Sequence, residues 1–319
     1  MIPTVRVLAP GASGHGVVRH AAAVATAVAA EGVLPVGSGP ADLTHAQFTD
    51  ALWGPDIVSA AEAFAEAVRG VPRPLVLTLH DLPGADPDPA RDARRGAGYR
   101  RVVAAADAVV VSAEHELGKA RALGAADPVR LPLPLPVTVP AGPAPGWAGR
   151  TTLGVLGFVY PGKGHEAVID AAGAHPERPA VVAAGAVADG HADLARSLAA
   201  RARAHGVAWI LTGHLDPPSL AAAAAAVTVP VAPGRSVSAG GSLLAWLAHG
   251  RVPLAASGAY AAEVHAAAPG ALRLYDDTAG RDALVAGALA RPASTRGPVP
   301  AWPDAGVAHA ALYRRVVRR

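Results

Sequence analysis

Short runs of apolar and β-branched residues alternate along the first half of the chain with longer alanine-rich stretches. Apolar runs without polar alternation are typical of parallel strands that are covered by helices on both faces. The order of these segments predicts βα units around a parallel sheet. The predicted strands are residues 4–9, 33–36, 56–58, 75–79 and 108–111, and the predicted helices are residues 17–30 and 60–69.

A proline-rich segment, LPLPLPVTVPAGPAPGWAGR at residues 131–150, interrupts this pattern. Repeated proline excludes a helix interior or a central strand, so the segment is predicted to be a linker. We therefore predict two Rossmann-like α/β domains, residues 1–138 and 150–300. The second domain has predicted strands at residues 152–158, 180–184, 208–212, 227–231 and 252–256, and predicted helices at residues 165–174, 194–205, 220–226 and 243–248.

Composition narrows the classes of protein. The chain has 319 residues, 51% of them hydrophobic, and no cysteine, which excludes a disulfide-stapled miniprotein, a zinc–cysteine site and a cysteine nucleophile. A net charge of +3 and 4% aromatic residues do not indicate a nucleic-acid partner. The apolar runs are too short to span a bilayer, and the N-terminus lacks the features of a signal peptide, so we expect a cytoplasmic protein.

Three glycine-rich turns follow predicted strands, at the edge of a parallel sheet where ligands bind. Glycines and free helix-start amides are typical of phosphate sites. The turns are GASGHG with Gly14 and Gly16, GFVYPGKG with Lys163, and GRSVSAGGS with Arg235, Gly240, Gly241 and Ser242. Lys163 carries the most information, because only Lys119 and Lys163 are lysine among 28 basic residues, a skew typical of GC-rich codon pressure. For the first and third turns the alternative is a loop that serves packing only. For Lys163 the alternative is a solvated surface lysine.

His80, at the end of the strand LVLTL, is either a site residue or a satisfied core histidine. The basic stretch at residues 91–101 is either a solvated helix face or a peripheral contact with an anionic lipid surface or an acidic acceptor. The 13 histidines show no zinc-binding spacing, and no G-x-S-x-G elbow indicates a hydrolase. No metal site is predicted.

Six segments occur in an order that resembles the retaining glycosyltransferases of the GT-B fold, the family 4-like or group 1 glycosyl transferases. They are GHGVVRHAAAVATAVAAEG, GPDIVSA, LVLTLHD, ADAVVVSAEHELGKARALG, GFVYPGKG and GGSLLAWLAHGRVPLAASGAYAAEV. The resemblance implies an α/β protein with two Rossmann-like domains whose parallel sheets face each other across a cleft. It also implies a C-terminal helix at about residues 303–319 that packs back on the first domain.

The resemblance further implies transfer of a sugar, with retention of configuration, from a nucleotide sugar such as a UDP- or GDP-sugar to a hydroxyl-bearing acceptor. No metal or other cofactor would be required. Lys163 would bind the donor diphosphate with help from the amides of Gly240, Gly241 and Ser242. Gly14 and Gly16 would face the donor sugar and phosphate, and His80 would donate a hydrogen bond beside the reacting carbon. The catalytic residues would be His80 and Lys163.

Three positions depart from the family pattern. Phe158 stands where the family usually has an arginine, and Val237 and Ala245 stand where it has two glutamates. One of those glutamates normally holds the nucleotide ribose, and Arg235 is the candidate for a substitute charge. The departures leave open a non-catalytic protein of the same fold that binds a glycan or a partner. A third alternative, an NAD(P)-dependent oxidoreductase, lacks a G-x-G-x-x-G fingerprint and an acidic residue near Val36.

Overall fold

The computed structural model describes residues 3–37, 39–84, 86 and 88–318. The chain divides into two compact units: unit 1 comprises Met1–Pro134 and Pro303–Arg319, and unit 2 comprises Leu135–Trp302. Residues 1, 2 and 319, which the sequence assigns to the first domain and to the C-terminal helix, lie outside the described residues.

Parallel strands and flanking helices alternate through both units. The strands are β1 (Thr4–Leu8), β2 (Leu34–Val36), β3 (Leu43–Phe48), β4 (Leu75–Leu79), β5 (Ala108–Val111), β6 (Val129–Arg130), β7 (Thr152–Leu156), β8 (Ala180–Ala184), β9 (Trp209–Leu211), β10 (Val229–Ala232), β11 (Leu254–Ala256) and β12 (Arg273–Tyr275). The helices are α1 (Gly16–Ala30), α2 (Asp50–Trp53), α3 (Ile57–Ala67), α4 (Pro89–Val103), α5 (Glu114–Ala122), α6 (His165–Ala174), α7 (Ala192–Ala204), α8 (Pro217–Ala226), α9 (Gly241–Ala248), α10 (Ala259–Ala267), α11 (Thr278–Ala290) and α12 (Ala305–Val317). A 3₁₀ turn, Pro292–Thr295, follows α11.

Each unit contains one sheet in which every described strand pairs in parallel with its neighbours. Over the described residues, the strand order is β2-β1-β3-β4-β5-β6 in unit 1 and β12-β11-β10-β7-β8-β9 in unit 2. Helices cover these sheets, as the continuous apolar runs predict. The predicted α/β class with two Rossmann-like sheets is therefore confirmed.

Strand β4 shows how the alternation of side chains builds the core of unit 1. Leu75, Leu77 and Leu79 belong to a buried cluster that includes aromatic side chains of β3, α3 and α4. Val76 belongs to a different cluster, which includes Tyr313 of α12. Successive residues of a strand point to opposite faces, so β4 contributes to both layers. Helix α12 thus completes one layer of the unit that contains the N-terminal strands.

The third strand of unit 1 differs from the prediction. Residues 56–58 do not form a strand, because Asp56 is the N-cap of α3 and its Oδ1 accepts hydrogen bonds from the amides of Val58 at 2.9 Å and Ser59 at 3.0 Å. An N-cap aspartate of this kind stabilises a helix start. The strand is instead β3, which is buried along its whole length.

The predicted bounds of several elements are confirmed. Strands at residues 75–79, 108–111 and 180–184 and the helix at residues 165–174 occupy their predicted positions. Most other predicted elements are shifted by one to three residues at an end, as helix caps and strand ends usually are. The elements from α10 to α11 were not predicted, because alanine-rich sequence around short strands gives a weak pattern.

The packing of α12 generates a prediction about stability. A Cβ atom at Gly306 would lie 2.6 Å from the carbonyl oxygen of Ala27 in α1. Gly306→Ala should therefore lower the free energy of unfolding by about 1–3 kcal/mol, because backbone atoms have to move. Chemical denaturation followed by circular dichroism measures this change.

Gly118 of α5 provides the matched control, because no atom lies within 4 Å of a Cβ placed there. Gly118→Ala should raise the free energy of unfolding by about 0.5–1 kcal/mol through its helix propensity. Equal effects of the two substitutions would contradict the close packing of α1 on α12.

Candidate functional site

The order of strands in unit 2 creates a switch point between β7 and β10. From β7 the chain adds β8 and β9 on one side, and it then returns to add β10, β11 and β12 on the other. Open α/β sheets bind ligands at the carboxyl ends of the two strands that flank such a point. The loops that follow β7 and β10 therefore form the first candidate site.

The loop after β7 is held close to the loop after β10. Gly157, Gly162 and Gly164 have φ angles of +99°, +84° and +90°, a region that favours glycine. A Cβ at Gly164 would lie 2.9 Å from Cβ of Pro233, so a side chain would push the two loops apart. Glycine at this position brings the start of α6 against the end of β10.

Lys163 and Ser242 meet across this switch point. The ammonium of Lys163 donates a 2.8 Å hydrogen bond to Oγ of Ser242, and it lies 5.8 Å from the ring centroid of Tyr160. Burial lowers the pKa of Lys163 to about 8, because the charged form loses hydration. No carboxylate is among the causes of this shift, and a bound anion would restore the stability of the ammonium.

Helix α9 begins beside the lysine and adds backbone donors. Its N-cap is Gly240, which has no side chain to satisfy the amides of the first turn, where Gly241 and Ser242 lie. A Cβ at Gly241 would meet no atom within 4 Å, whereas one at Gly240 would lie 3.1 Å from Val237. An ammonium, a hydroxyl and a helix start with open space therefore converge, which is the donor set of an anion site.

Arg235, predicted to add a second charge, has other contacts. It is exposed, it donates a hydrogen bond to the carbonyl oxygen of Asp276, and its guanidinium lies 6.0 Å from the ring centroid of Tyr275. These contacts hold its side chain at the carboxyl end of β12. These hydrogen bonds and ring contacts do not involve Lys163, so the role of Arg235 with the diphosphate stays a prediction.

Unit 1 has its own switch point, between β1 and β3, and the glycine turn at residues 11–16 follows β1. His15 is the N-cap of α1, and its Nδ1 accepts a 3.2 Å hydrogen bond from the amide of Val17. No atom lies within 4 Å of a Cβ placed at Gly14 or Gly16. Both glycines therefore border open space, which a ligand of this unit could enter.

His80 follows β4 and is half-buried. Its Nε2 lies 2.8 Å from Oε1 of Gln47, and its ring contacts the ring of His20 edge-on, with 5.2 Å between centroids. Burial lowers the pKa of His80 to about 4, although the charge of Asp81 opposes the shift. The imidazole is therefore neutral at physiological pH, which suits hydrogen bonding rather than charge stabilisation.

The backbone after His80 is braced by α4. Asp81 has a φ of +49°, and its carbonyl oxygen accepts a 2.7 Å hydrogen bond from Arg95. Tyr99 donates a 2.7 Å hydrogen bond to the carbonyl oxygen of His80, and Arg95 also binds the carboxylate of Asp50 at 2.8 Å. Part of the basic stretch at residues 91–101 therefore supports the corner that presents His80.

Sequence reasoning missed the strand that supports His80. On β3, His45 and Gln47 are two residues apart and fully buried, and both take part in hydrogen bonds. Tyr313 of α12 lies 2.6 Å from Nδ1 of His45, and Thr78 of β4 lies 2.7 Å from its Nε2. The sequence signal that could have revealed this strand is the pair of polar residues two positions apart in the short segment between Asp42 and Asp50.

The described residues contain neither a metal-binding cluster nor a membrane-spanning helix. No cluster of three or more histidine, aspartate or glutamate side chains could hold a metal ion in residues 3–37, 39–84, 86 and 88–318. In that same part of the chain, no helix combines the length and the apolar character needed to cross a bilayer.

Solved structures of similar fold cover nearly the whole chain. HepE from Anabaena, in complex with UDP and glucose, matches with a TM-score of 0.68 and 15% identity over 99% of this chain and 97% of its own. Sucrose-phosphate synthase from Thermosynechococcus elongatus matches with a TM-score of 0.67 and 15% identity over 99% and 95%. AviGT4, a glycosyltransferase involved in avilamycin A biosynthesis, matches with a TM-score of 0.63 and 14% identity over 99% and 98%.

The chain has the GT-B fold. No protein-family model matches the sequence, and the comparison with curated proteins finds no match. At identities near 15% the likeness to HepE and the others concerns the fold. The GT-B fold of this chain and the geometry at Lys163 are therefore two separate observations.

The lowered pKa of Lys163 generates a prediction about anion binding. The Lys163 side chain binds an anion by charge only while its amine is protonated, and its pKa is about 8. The affinity for inorganic pyrophosphate should therefore fall as the pH rises from 7 to 9.5. Isothermal titration calorimetry across this range measures the change.

Lys163→Met separates this effect from the titration of pyrophosphate itself. The variant should bind pyrophosphate weakly, and its affinity should not fall over the same range. Lys119→Met is the matched control, because Lys119 is the only other lysine and lies on α5 in unit 1. An unchanged pH profile in Lys163→Met would contradict a role of this ammonium in anion binding.

Proposed function

We propose that this protein is a glycosyltransferase that uses a nucleotide sugar as donor and a hydroxyl group as acceptor. The observation that carries the proposal is the contact of Lys163 with Ser242 at the start of α9, at the switch point of unit 2. The GT-B fold and the order of sequence motifs support it. In this proposal the donor diphosphate accepts hydrogen bonds from Lys163, from Ser242 and from the amides of Gly240 and Gly241.

The chemistry of sugar transfer explains why this donor set matters. The acceptor oxygen forms a bond to the anomeric carbon while the bond from that carbon to the diphosphate breaks. Negative charge grows on the departing diphosphate, and groups that neutralise it stabilise the transition state. A charge-assisted hydrogen bond of the Lys163 type contributes about 1.5–3 kcal/mol.

We propose that the transfer retains the configuration of the anomeric carbon, an inference that rests on the family resemblance. The acceptor attacks from the face that the diphosphate leaves, and an oxygen of the departing diphosphate takes the acceptor proton. This route calls on no protein base and no metal ion. Catalysis then consists of positioning the two substrates and stabilising charge.

In unit 1, the proposed roles belong to Gly14, Gly16 and His80. The open space at the two glycines allows a sugar or phosphate to approach the backbone of the turn. His80, neutral and half-buried, is proposed to form a hydrogen bond with a substrate hydroxyl. The predicted cytoplasmic location and the membrane contact through exposed arginines of α4 remain predictions.

The side chains at two family glutamate positions favour a second candidate function, a non-catalytic protein that binds a glycan or a partner. Val237 contributes methyl groups near Gly234 and Gly240, and Ala245 is a partly buried residue of α9. Neither side chain can accept a hydrogen bond from a ribose. Arg235 is the proposed substitute, so recognition of the nucleoside would differ from the family pattern. UDP and GDP are the nucleotides to test first.

Binding of nucleotides tests both candidates. We expect UDP or GDP, and the matching sugar nucleotide, to raise the melting temperature and to bind in calorimetry. Lys163→Ala should lower the affinity for the diphosphate about 10- to 100-fold, which corresponds to the loss of one charge-assisted hydrogen bond. Lys119→Ala should leave the affinity unchanged.

Release of nucleoside diphosphate from sugar nucleotides separates the candidates. The glycosyltransferase predicts slow release in water and faster release with a suitable hydroxyl acceptor, with the product seen by mass spectrometry. Binding without any release would favour the non-catalytic protein. If no nucleotide or sugar nucleotide binds, or if Lys163→Ala binds as well as the unmodified protein, the proposed function is wrong.

A further inference from the structure

The buried polar side chains of β3 form a chain of hydrogen bonds that ends at His80. Gln47 presents its carbonyl oxygen to Nε2 of His80 at 2.8 Å and its amide nitrogen to Nε2 of His45 at 3.1 Å. His45 in turn contacts the hydroxyl of Tyr313 through Nδ1 at 2.6 Å. The chain therefore runs from a candidate catalytic residue through the centre of the sheet to helix α12.

With the Gln47 amide oriented as in the structure, the chemistry of these groups sets the direction of the hydrogen bonds. A side-chain amide oxygen only accepts, so Nε2 of His80 carries the proton that Gln47 receives. An amide nitrogen only donates, so Nε2 of His45 is an acceptor and its Nδ1 carries the proton. That proton is donated to Tyr313, whose pKa is raised by burial and whose hydroxyl stays protonated. Each group thus donates a hydrogen bond to the next, from His80 through Gln47 and His45 to Tyr313.

Burial couples the tautomers of the two histidines. His45, Gln47 and Thr78 are all fully buried, so no water competes for their hydrogen bonds. The hydroxyl of Thr78 lies 2.7 Å from the same Nε2 of His45, and in this arrangement it donates to that nitrogen. Reversal of the Gln47 amide would require both histidines to change tautomer together.

The other ring nitrogen of His80 is left without a partner. In the part of the chain that the structure describes, no hydrogen bond is made by Nδ1 of His80, and this atom is not one of the fully buried unsatisfied atoms. We propose that Gln47 is a positioning residue that holds His80 with its proton on Nε2, so that Nδ1 accepts a hydrogen bond from a substrate hydroxyl. This inference rests on the proposed function and reverses the expectation that His80 is a donor to the substrate.

The tautomer can be measured without activity. Long-range ¹H–¹⁵N correlation spectra of the uniformly ¹⁵N-labelled full-length protein distinguish a protonated ring nitrogen from a bare one, and His80→Ala identifies the signals of His80. We expect a bare Nδ1 and a protonated Nε2. In Gln47→Met, which has similar length and no amide, both nitrogens should shift toward the average of a tautomer mixture. A protonated Nδ1 in the unmodified protein, or an unchanged spectrum in Gln47→Met, overturns the proposal.

Gln47→Glu tests the acceptor alone, because a carboxylate oxygen can still receive the Nε2 proton. We expect Nε2 to stay protonated and the pKa of His80 to rise, since a carboxylate stabilises the imidazolium. Apart from residue 47 itself, the titratable groups around His80 are the same in every variant: His15 and His20 at the start of α1, His45 of β3, Asp81 after β4, and Arg95 and Tyr99 of α4. Spectra at pH 8 and above report the neutral ring.

Kinetics then connect the tautomer to sugar transfer. Gln47→Met should lower kcat about ten-fold or more with little change in the KM of the donor, and Gln47→Glu should recover part of kcat at pH 8. Thr44→Val is the control, because Thr44 is buried on the same strand and its hydroxyl binds the carbonyl oxygen of Pro72 at 2.8 Å. It should lower stability yet leave the His80 spectrum and kcat unchanged.

These readouts separate two failures. If no sugar nucleotide is turned over but the spectra show the predicted tautomer and its loss in Gln47→Met, the proposed function fails while the positioning of His80 stands. If turnover is observed and Gln47→Met leaves both kcat and the tautomer unchanged, the positioning role fails while the proposed function stands.

Discussion

Parallel pairing is the constraint on which both candidate sites depend. Because each described strand runs in the same direction as its neighbours, every strand of a sheet ends at the same edge. The loops that carry Lys163 and Ser242 are distant in sequence, but they follow strands that are adjacent in the sheet of unit 2. The contact between them is a consequence of strand order, and glycine at residue 164 allows the loops to approach.

The two sites use polar groups in different ways. At Lys163 a charge is only partly compensated, since its described hydrogen bond goes to a neutral hydroxyl and its pKa is lowered by burial. Such a group gains stability when an anion arrives. At His80 the neighbouring polar groups are matched donor to acceptor, so the ring has a fixed orientation before any ligand binds. One site has an unmet electrostatic requirement, and the other has a prearranged geometry.

Much of the architecture follows from the sequence, and the exceptions have physical causes. Apolar strands such as β4 and β8 stand out because nearly all of their side chains are apolar and both of their faces are buried. Strand β3 is just as buried, but His45 and Gln47 replace part of its apolar surface with hydrogen bonds to partners far along the chain. Hydrophobic patterning detects the first kind of burial and overlooks the second. The segment at Asp56 was predicted to be a strand because the apolar residues Ile57 and Val58 follow it. Asp56 in fact caps helix α3.

The candidate site residues also divide into those that the sequence reveals and those that only the fold brings together. A glycine turn with one lysine is visible in sequence, because backbone conformation and charge are local properties. Tyr313 and its partner His45 are 268 positions apart, and Gln47 and His80 are 33 positions apart, so these pairs meet only through the fold. Arg235 was chosen for its charge, yet its side chain is held by a tyrosine ring and a backbone carbonyl of the neighbouring loop. Charge can be read from sequence, but the direction of a long side chain depends on its neighbours.

The burial of Lys163 also affects its chemical reactivity. With a pKa of about 8, roughly a tenth of the molecules have an uncharged amine at pH 7, compared with fewer than about one in a thousand for an ordinary lysine. The uncharged amine is the form that attacks aldehydes and activated esters. Of the two lysine side chains, Lys163 is therefore the one that we expect such reagents to modify first. Lys163 thus offers a point for attaching a probe to the candidate anion site.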